Sequence, residues 1–314
     1  KWGNQSQGDD MITYIDSPQP LGTVNVGFAP DFVWAKARNA DSHHAKWDTL
    51  RGNKSIIYSS LNNGRSTGSY SAGSSGPGQG YNGFENFTDT GFTLNEHADG
   101  GEINHPSRTY IAWCWRAGGA PASDGVAMVD GVETTTAALK TAASTAIAPT
   151  RMSVNTTAGF SIIKATITNV QANDMTESVP HGLTQTPDFI LSKPLTSTHP
   201  WQVYHKNGYS GNPPNNLQGL NFTTVAPFQN SSYKTWEVTN SLIKFGRQIC
   251  EYNNNEIIFY AWHSVPGYSA FGYYEGNAST DGPFIYTGFK PAWLMIKNIT
   301  TDSDYTSWGI YDNS

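Results

Sequence analysis

Charge is scarce in this chain. Only 14% of its 314 residues are Asp, Glu, Lys or Arg, against roughly 25% in an average globular domain. The balance is acidic, 25 acidic to 19 basic residues for a net charge of −6 with neutral histidines. That leaves no basic face to neutralise phosphates and argues against a nucleic-acid partner. Cysteine is almost missing: Cys114 and Cys250 are the whole complement. A disulfide inside a repeated unit would recur, and these two fall at non-equivalent places, so they read as two buried thiols. No apolar run approaches the roughly 18 residues of a helical membrane span, and no membrane insertion is expected. Missing too are the Gly-x-Ser-x-Gly elbow, the His-Glu-x-x-His pair and the phosphate-binding loop with its lysine. Gly78-Gln79-Gly80-Tyr81-Asn82-Gly83 spells GxGxxG, but it lies in a Gly/Ser stretch and not between a strand and a helix, so it is a coincidence of composition.

What the chain has is aromatic side chains (13%), 31 glycines, and much serine, threonine and asparagine. These suit strands and turns better than helix surfaces. It also has a block that occurs three times: Pro30-Asp31-Phe32-Val33-Trp34-Ala35-Lys36, Pro187-Asp188-Phe189-Ile190-Leu191-Ser192-Lys193 and Pro291-Ala292-Trp293-Leu294-Met295-Ile296-Lys297. Each is followed by a polar loop and a tryptophan: Trp47, Trp201 and Trp308. The first two units close alike, on Tyr110-Ile111-Ala112-Trp113 and Phe259-Tyr260-Ala261-Trp262. Self-similarity of this kind defines the folding unit. The spacing sets the boundaries: residues 1–118 form a first module, 119–157 an Ala/Thr/Gly-rich linker or arm, 158–265 a second module and 266–314 a partial third. Because that third unit stops short of the length of the others, the chain reads as a fragment of a longer protein.

Strands are expected at 32–36, 110–115, 161–168, 189–192, 257–262, 284–287 and 293–297, where apolar or alternating runs are bounded by Gly, Pro, Asn and Asp. One helix is expected at 136–144. Runs apolar on both faces, such as Ile257–Trp262, belong inside a sandwich. The fold class is all-β, as tandem antiparallel β-sandwich modules of lectin-like or jelly-roll type.

The blocks Phe28–Trp34, Thr90–Leu94, Tyr110–Gly119, Ala158–Ile163 and Pro180–Leu183, with Gly267–Asn277 and Asp281–Trp293 later, resemble a repeat domain of unknown function. That domain is found in tail-fibre-like and other large structural proteins of tailed phages, especially marine and cyanobacterial ones. The resemblance covers nearly the whole chain apart from the linker. It implies a virion appendage located on the particle, homotrimeric as fibre proteins commonly are, and it brings no catalytic residues. Departures from the family pattern fall at the His43-His44 loop and at the Gly/Ser insert 64–83.

The recurring tryptophans Trp34, Trp47, Trp201, Trp293 and Trp308 offer indole faces for sugar stacking. Equivalent positions must fill equivalent interiors, however, and they are read as core, together with Trp236. Recognition is assigned instead to loop residues that differ between units: Tyr70 and Tyr81 in the first, Tyr209, Asn212, Asn215 and Tyr233 in the second. Such residues combine flat contact area with adaptable hydrogen bonding on a rigid scaffold. No metal or other cofactor is expected. His43 and His44, with His97 and His105 elsewhere, lack a carboxylate at ligand spacing, and Asp302-Ser303-Asp304 and Asp281-Gly282 are turn chemistry and not a calcium loop.

The expected function is that of a phage structural protein, a tail fibre or related appendage, binding a host cell-surface glycan or protein through variable loops and contacting other virion proteins. It is not expected to be an enzyme. Two alternatives stand beside it. A polysaccharide-degrading tailspike would need two carboxylates roughly 5–10 Å apart across a cleft, and Glu85, Glu96, Asp99 and Glu102 are unpaired in sequence. A purely architectural decoration or accessory protein would contact only its neighbours in the particle.

Overall fold

The structure, a computed structural model, describes residues 10–15, 22–67, 83–94, 103–105, 107–169, 175–208, 216–218, 236–250, 252–299 and 308–313. In chain order the elements are β1 (Asp10–Ile15), β2 (Thr23–Asn25), β3 (Phe32–Ala37), β4 (Ala45–Asp48), β5 (Ser55–Tyr58), β6 (Ser66–Thr67), β7 (Phe84–Thr88), β8 (Gly91–Leu94) and β9 (Tyr110–Trp115). There follow β10 (Val126–Val129), β11 (Val132–Thr135), α1 (Thr136–Ala143), β12 (Arg151–Asn155), β13 (Phe160–Thr166), β14 (Glu177–Pro180), β15 (Phe189–Pro194), β16 (Gln202–His205) and β17 (Asn216–Gln218). The last are β18 (Trp236–Val238), β19 (Leu242–Phe245), α2 (Arg247–Cys250), β20 (Glu256–Trp262), β21 (Trp293–Ile296) and β22 (Gly309–Asp312). The protein is all-β, and its sheets pack face to face as sandwiches.

Two large sheets form the middle of the molecule, ordered β1-β9-β3-β4-β5-β6 and β11-β10-β12-β13-β20-β15-β16-β17. Each carries a three-stranded outer sheet on its far side, β2-β8-β7 on the first and β14-β19-β18 on the second. Period-2 alternation explains the layering, since successive side chains on a strand serve opposite faces. On β3, Val33 and Ala35 join Val24, Phe84 and Phe92 in a core under the first outer sheet. Phe32 and Trp34 point the other way, into a central core shared with Phe160, Leu191, Trp201, Val203 and Tyr260 of the second large sheet. The second sheet repeats the arrangement: Ile190, Phe259 and Ala261 pack under β14-β19-β18 with Trp236 and Phe245. The runs apolar on both faces are strands buried on both faces.

Hydrogen bonds also tie the two large sheets together. Trp201 Nε1 donates to Tyr58 O at 2.8 Å, the Arg65 amide donates to Leu195 O at 2.8 Å, and Arg65 pairs with Glu256.

Residues 119–157, expected as a linker or arm, fold as the β10–β11 hairpin, α1 and β12. β12 pairs antiparallel with β13, and β10 runs parallel to β12. The small residues are compatible with this because the open edge of β13 supplies the partner that a core-poor segment needs. The helix starts where Thr135 accepts from the Ala138 amide at 3.1 Å and stops at Ser144 in the left-handed region. Cys114 and Cys250 are buried thiols. The run 284–287, expected as a strand, has no regular structure, and Phe284 is 88% exposed.

Candidate functional site

Each repeated block becomes a strand, and its flanking polar residues fasten that strand's surroundings. Asp31, just before β3, accepts from the amides of Ala117 (2.8 Å) and Gly119 (3.2 Å) and from the Thr49 hydroxyl (3.0 Å). Asp188, just before β15, accepts from the Ser264 amide and hydroxyl at 2.7 and 2.5 Å. In both cases the carboxylate pins the chain leaving the central strand, β9 or β20. The third block has Ala292 there. The closing lysines hold the loops that follow. Lys36 Nζ donates to Ala37 O and Ala40 O, Lys193 Nζ to Asn62 O, Pro194 O, Ser197 O and His199 O, and Lys297 Nζ to Asn298 O. Burial pulls Lys193 down to about 7, while its ring of carbonyl acceptors favours the ammonium form.

Between the large sheets lies a buried polar cluster. Arg51 Nε donates to Asp48 Oδ2 at 2.5 Å with both side chains fully buried. Tyr260 Oη, from the opposite sheet, donates to the same oxygen at 2.5 Å. Lys46 Nζ rests 3.8 Å from the ring centre of Trp34 and 5.2 Å from that of Trp201. Burial first, and then the Arg51 guanidinium, push the Lys46 ammonium well toward its neutral form. A desolvated cation–π contact is worth about 2 kcal/mol, too little to offset burial of a full charge.

This layer opens to solvent at a cleft of about 470 Å³ where the β21–β22 hairpin leans on the first large sheet. Its aromatic floor comes from Trp34, Trp113 and His44, with Trp308 and Met295 on the hairpin side. Trp34 and Trp113 meet edge to face at 5.7 Å, and the His44 ring lies parallel to Trp113 at 6.4 Å. The Trp34 indole N–H donates to His44 Nδ1 at 2.9 Å. Since an indole only donates, Nδ1 is unprotonated and His44 in its neutral form carries its proton on Nε2. Burial, aided by the Lys36 charge, lowers His44 to about 3. Lys36, Arg38 and Asp312 put charge of both signs around the opening, beside Ser59 and Ser60. The arrangement offers flat apolar surface, hydrogen-bond donors and acceptors, and mixed charge. Those are the means of recognising an amphipathic ring or a peptide.

The six loop residues expected to bind, Tyr70, Tyr81, Tyr209, Asn212, Asn215 and Tyr233, all lie outside the described residues, as do Glu96, Asp99, Glu102 and His97. Glu85 sits on β7 in the first outer sheet. His43 is exposed and shares a 2.9 Å hydrogen bond with Ser60. No cluster of three His, Cys, Asp or Glu side chains suited to a metal ion occurs among the described residues.

Trp34, Trp47, Trp201 and Trp236 are buried as read, while Trp293 and Trp308 are half-buried. Their equivalence needs correction. Strand register sets Val33 opposite Trp47, Ile190 opposite Tyr204 and Leu294 opposite Tyr311. Trp47 therefore corresponds to Tyr204 and Tyr311, and Trp201 corresponds to Trp308 and to His44. The connection has the same length in the first two blocks and is three residues longer in the third, so matching tryptophan to tryptophan sets Trp47 three residues out of register with Trp201 and Trp308. Sequence reading also missed His44 as part of an aromatic floor. Its signal was that it shares its place with Trp201 and Trp308.

Fold and site together define a class: an all-β protein of stacked sandwiches with an aromatic cleft at the mouth of its central layer. Within that class, the chain belongs to the family described as a domain of unknown function (DUF7483), whose model matches residues 9–314. The match spans all three blocks and the segment between the first two. No curated protein and no solved structure matches the chain.

Proposed function

We propose that this chain is a structural and recognition protein of a tailed-phage particle. It serves as a tail fibre or related appendage, built from successive copies of one sandwich module and binding a host cell-surface glycan or protein. The phage setting rests on the sequence resemblance. The module reading is supported by the like neighbours of β3 and β15, each flanked by a central strand closing on a tryptophan, Trp115 opposite Phe32 and Trp262 opposite Phe189, which sets the two Ala-Trp pairs two residues out of register, and by a second strand in the same register. Recognition is carried by the cleft, where Trp34, Trp113 and Trp308 gather from three separate strands or strand ends around polar side chains.

No chemical step is assigned to the chain. Affinity arises from weak contacts multiplied over the copies in the particle, because linked sites raise effective concentration. The copies associate as a homo-oligomer, a trimer by the same resemblance. Light scattering that returns a monomer at all concentrations removes that part of the reading.

The test is binding of the purified chain to intact bacterial cells and to an array of bacterial surface polysaccharides, compared with Trp308→Ala. Saturable binding that falls at least about tenfold in the variant, roughly 1.4 kcal/mol, supports the cleft. Binding indifferent to Trp308, or none to any cell or glycan, overturns it. A second, architectural reading, contact with other virion proteins, is favoured by the bare aromatic face of β21–β22, with Tyr311 60% exposed.

A further inference from the structure

The cleft runs against the charge of the rest of the molecule. The chain carries a net −6, yet the ionised side chains around the opening are two cations, Lys36 and Arg38, and one carboxylate, Asp312. Strand alternation gathers the cations. Trp34, Lys36 and Arg38 are spaced by two along β3 and its continuation, so they share one face, and that face lines the cleft. The Arg38 amide donates to Thr109 O at 2.8 Å, which carries the extended backbone one residue past the strand. Lys36 Nζ is held by the carbonyls of Ala37 and Ala40, so its charge is fixed in place. Arg38 is exposed, and its planar guanidinium matches the two oxygens of a carboxylate.

A third donor is set by the indole of Trp34. Because the Trp34 N–H occupies His44 Nδ1, the imidazole carries its proton on Nε2, and among the described residues no side chain or carbonyl accepts from it. N–H donors at the cleft thus outnumber the one carboxylate, and a ligand that satisfies them brings anionic oxygen. Asp312 asks for the reverse, hydroxyl donors on the same ligand. Trp308, half-buried, adds a flat apolar surface. A carboxylated sugar meets all three demands, with one charged group, several hydroxyls and a ring whose C–H face suits an indole. An acidic peptide brings the charge without the hydroxyls and sets further carboxylates against Asp312. The cleft volume of about 470 Å³ also falls within the range of small-ligand sites, about 300–1,000 Å³.

We propose that the cleft binds acidic sugars of the hexuronic acid class. The pyranose lies against Trp308, its carboxylate meets the Arg38 guanidinium and the His44 Nε2–H, and its hydroxyls face Asp312. Lys36 adds attraction without leaving its carbonyl partners. The inference rests on the cleft being the recognition site, as proposed above, and adds the chemical class of its ligand.

The probes are oligomers of mannuronate, guluronate, galacturonate and glucuronate, each beside its carboxyl-reduced form, in which the carboxylate becomes a hydroxymethyl group and the ring is otherwise unchanged. Calorimetric titration of the whole chain is expected to show binding of at least one uronate, with affinity falling about tenfold or more on carboxyl reduction. Raising NaCl from about 50 to about 500 mM should narrow that gap by about threefold or more, as exposed charges are screened. Arg38→Gln, at an exposed position, is expected to weaken uronate binding about tenfold with the urea midpoint unchanged. No binding of any uronate overturns the proposal. Equal binding of uronate and reduced form overturns it as well, and leaves the cleft as a site for neutral glycans if Trp308→Ala still weakens both. Uronate binding that falls in Arg38→Gln but is indifferent to Trp308→Ala overturns the recognition reading of the cleft and this proposal with it. Binding of poly-glutamate as tight as that of the uronates reassigns the cleft to acidic peptides.

Discussion

The strand β3 and the strand β21 come from heptapeptides of one pattern, a proline, a run of large apolar residues and a lysine, yet Phe32 and Val33 are fully buried while Trp293 is half-buried and Leu294 is 43% exposed. Both strands alternate, both follow a glycine in the left-handed region, and both end in a lysine that donates to backbone carbonyls. What differs is the company. β3 lies between β9 and β4 and under an outer sheet, whereas β21 pairs with β22 alone among the described strands. The residue that changes with the company is the one before the strand, Asp31 against Ala292. Local sequence therefore fixes strand and turn, and distant partners fix burial.

The sharpest way to test that the closed region depends on distant partners is to break the buried cluster between the large sheets. Asp48→Ala leaves the fully buried Arg51 guanidinium without its carboxylate and removes the acceptor of Tyr260 across the interface. A loss of about 3–5 kcal/mol in urea unfolding is expected, because an uncompensated buried charge remains. Asp312, the residue of β22 opposite Trp293 as Asp48 is opposite Phe32, should cost about 1 kcal/mol or less on the same change. Equal losses at the two sites would contradict the comparison.

A smaller effect separates the strand-pinning carboxylates. Asp31→Ala strands the amides of Ala117 and Gly119, and Asp188→Ala strands that of Ser264. Each is expected to cost about 1–3 kcal/mol, the penalty of a buried donor left unmade. Ala292 is buried, so Ala292→Asp takes a carboxylate out of water with no stranded amide to receive it and should itself cost about 1–3 kcal/mol. Chemical denaturation of the three variants side by side is the measurement, and a gain in stability from Ala292→Asp would mean that the third block already holds a strand end to pin.

Much of this contrast was legible in the sequence, and its limits have physical causes. The expected strands at 32–36, 110–115, 189–192, 257–262 and 293–297 and the helix at 136–144 match β3, β9, β15, β20, β21 and α1 to within a residue or two, because alternation and turn residues act locally. Phe284–Thr287 has the same strand-like composition and no strand, since a strand needs a neighbour to take its hydrogen bonds. The Tyr260 hydroxyl meets Asp48 across 212 residues of chain, and no periodicity announces such a pair. The recognition residues assigned to loops fall outside the described residues, so the cleft was found from packing, through His44 standing where Trp201 and Trp308 stand.

Acid should act on the closed blocks and spare the open one. Burial lowers His44 to about 3, and His181 and His205 to about 4. Their unfolded value lies near 6.5, so between those limits the unfolded chain binds more protons. The stabilisation is fully present above about pH 6.5 and is lost as pH falls toward 3–4. The corresponding residues of the third block are Trp308, Thr287 and Asp312, none of which is a histidine. The urea midpoint is expected to drop between pH 7.5 and pH 4.5, and to drop less in the triple variant His44→Gln, His181→Gln, His205→Gln. A midpoint that rises on acidification would reverse the sign of the argument.

The smallest expected effect is the one that most directly tests whether the third face is open. Ile190→Asp places a carboxylate in the fully buried core under the second outer sheet, where it finds no solvent, and should prevent folding. Leu294→Asp makes the same change at the corresponding position of β21, where the side chain already meets water. Its cost in the unbound chain should stay within about 0.5 kcal/mol. Identical chemistry at matched positions then gives opposite outcomes, and the difference measures the cover that one block has and the other lacks. Were Leu294→Asp to destabilise the purified chain by several kcal/mol at low protein concentration, the face would already be closed by the chain itself, and the likeness between the blocks would extend to their packing.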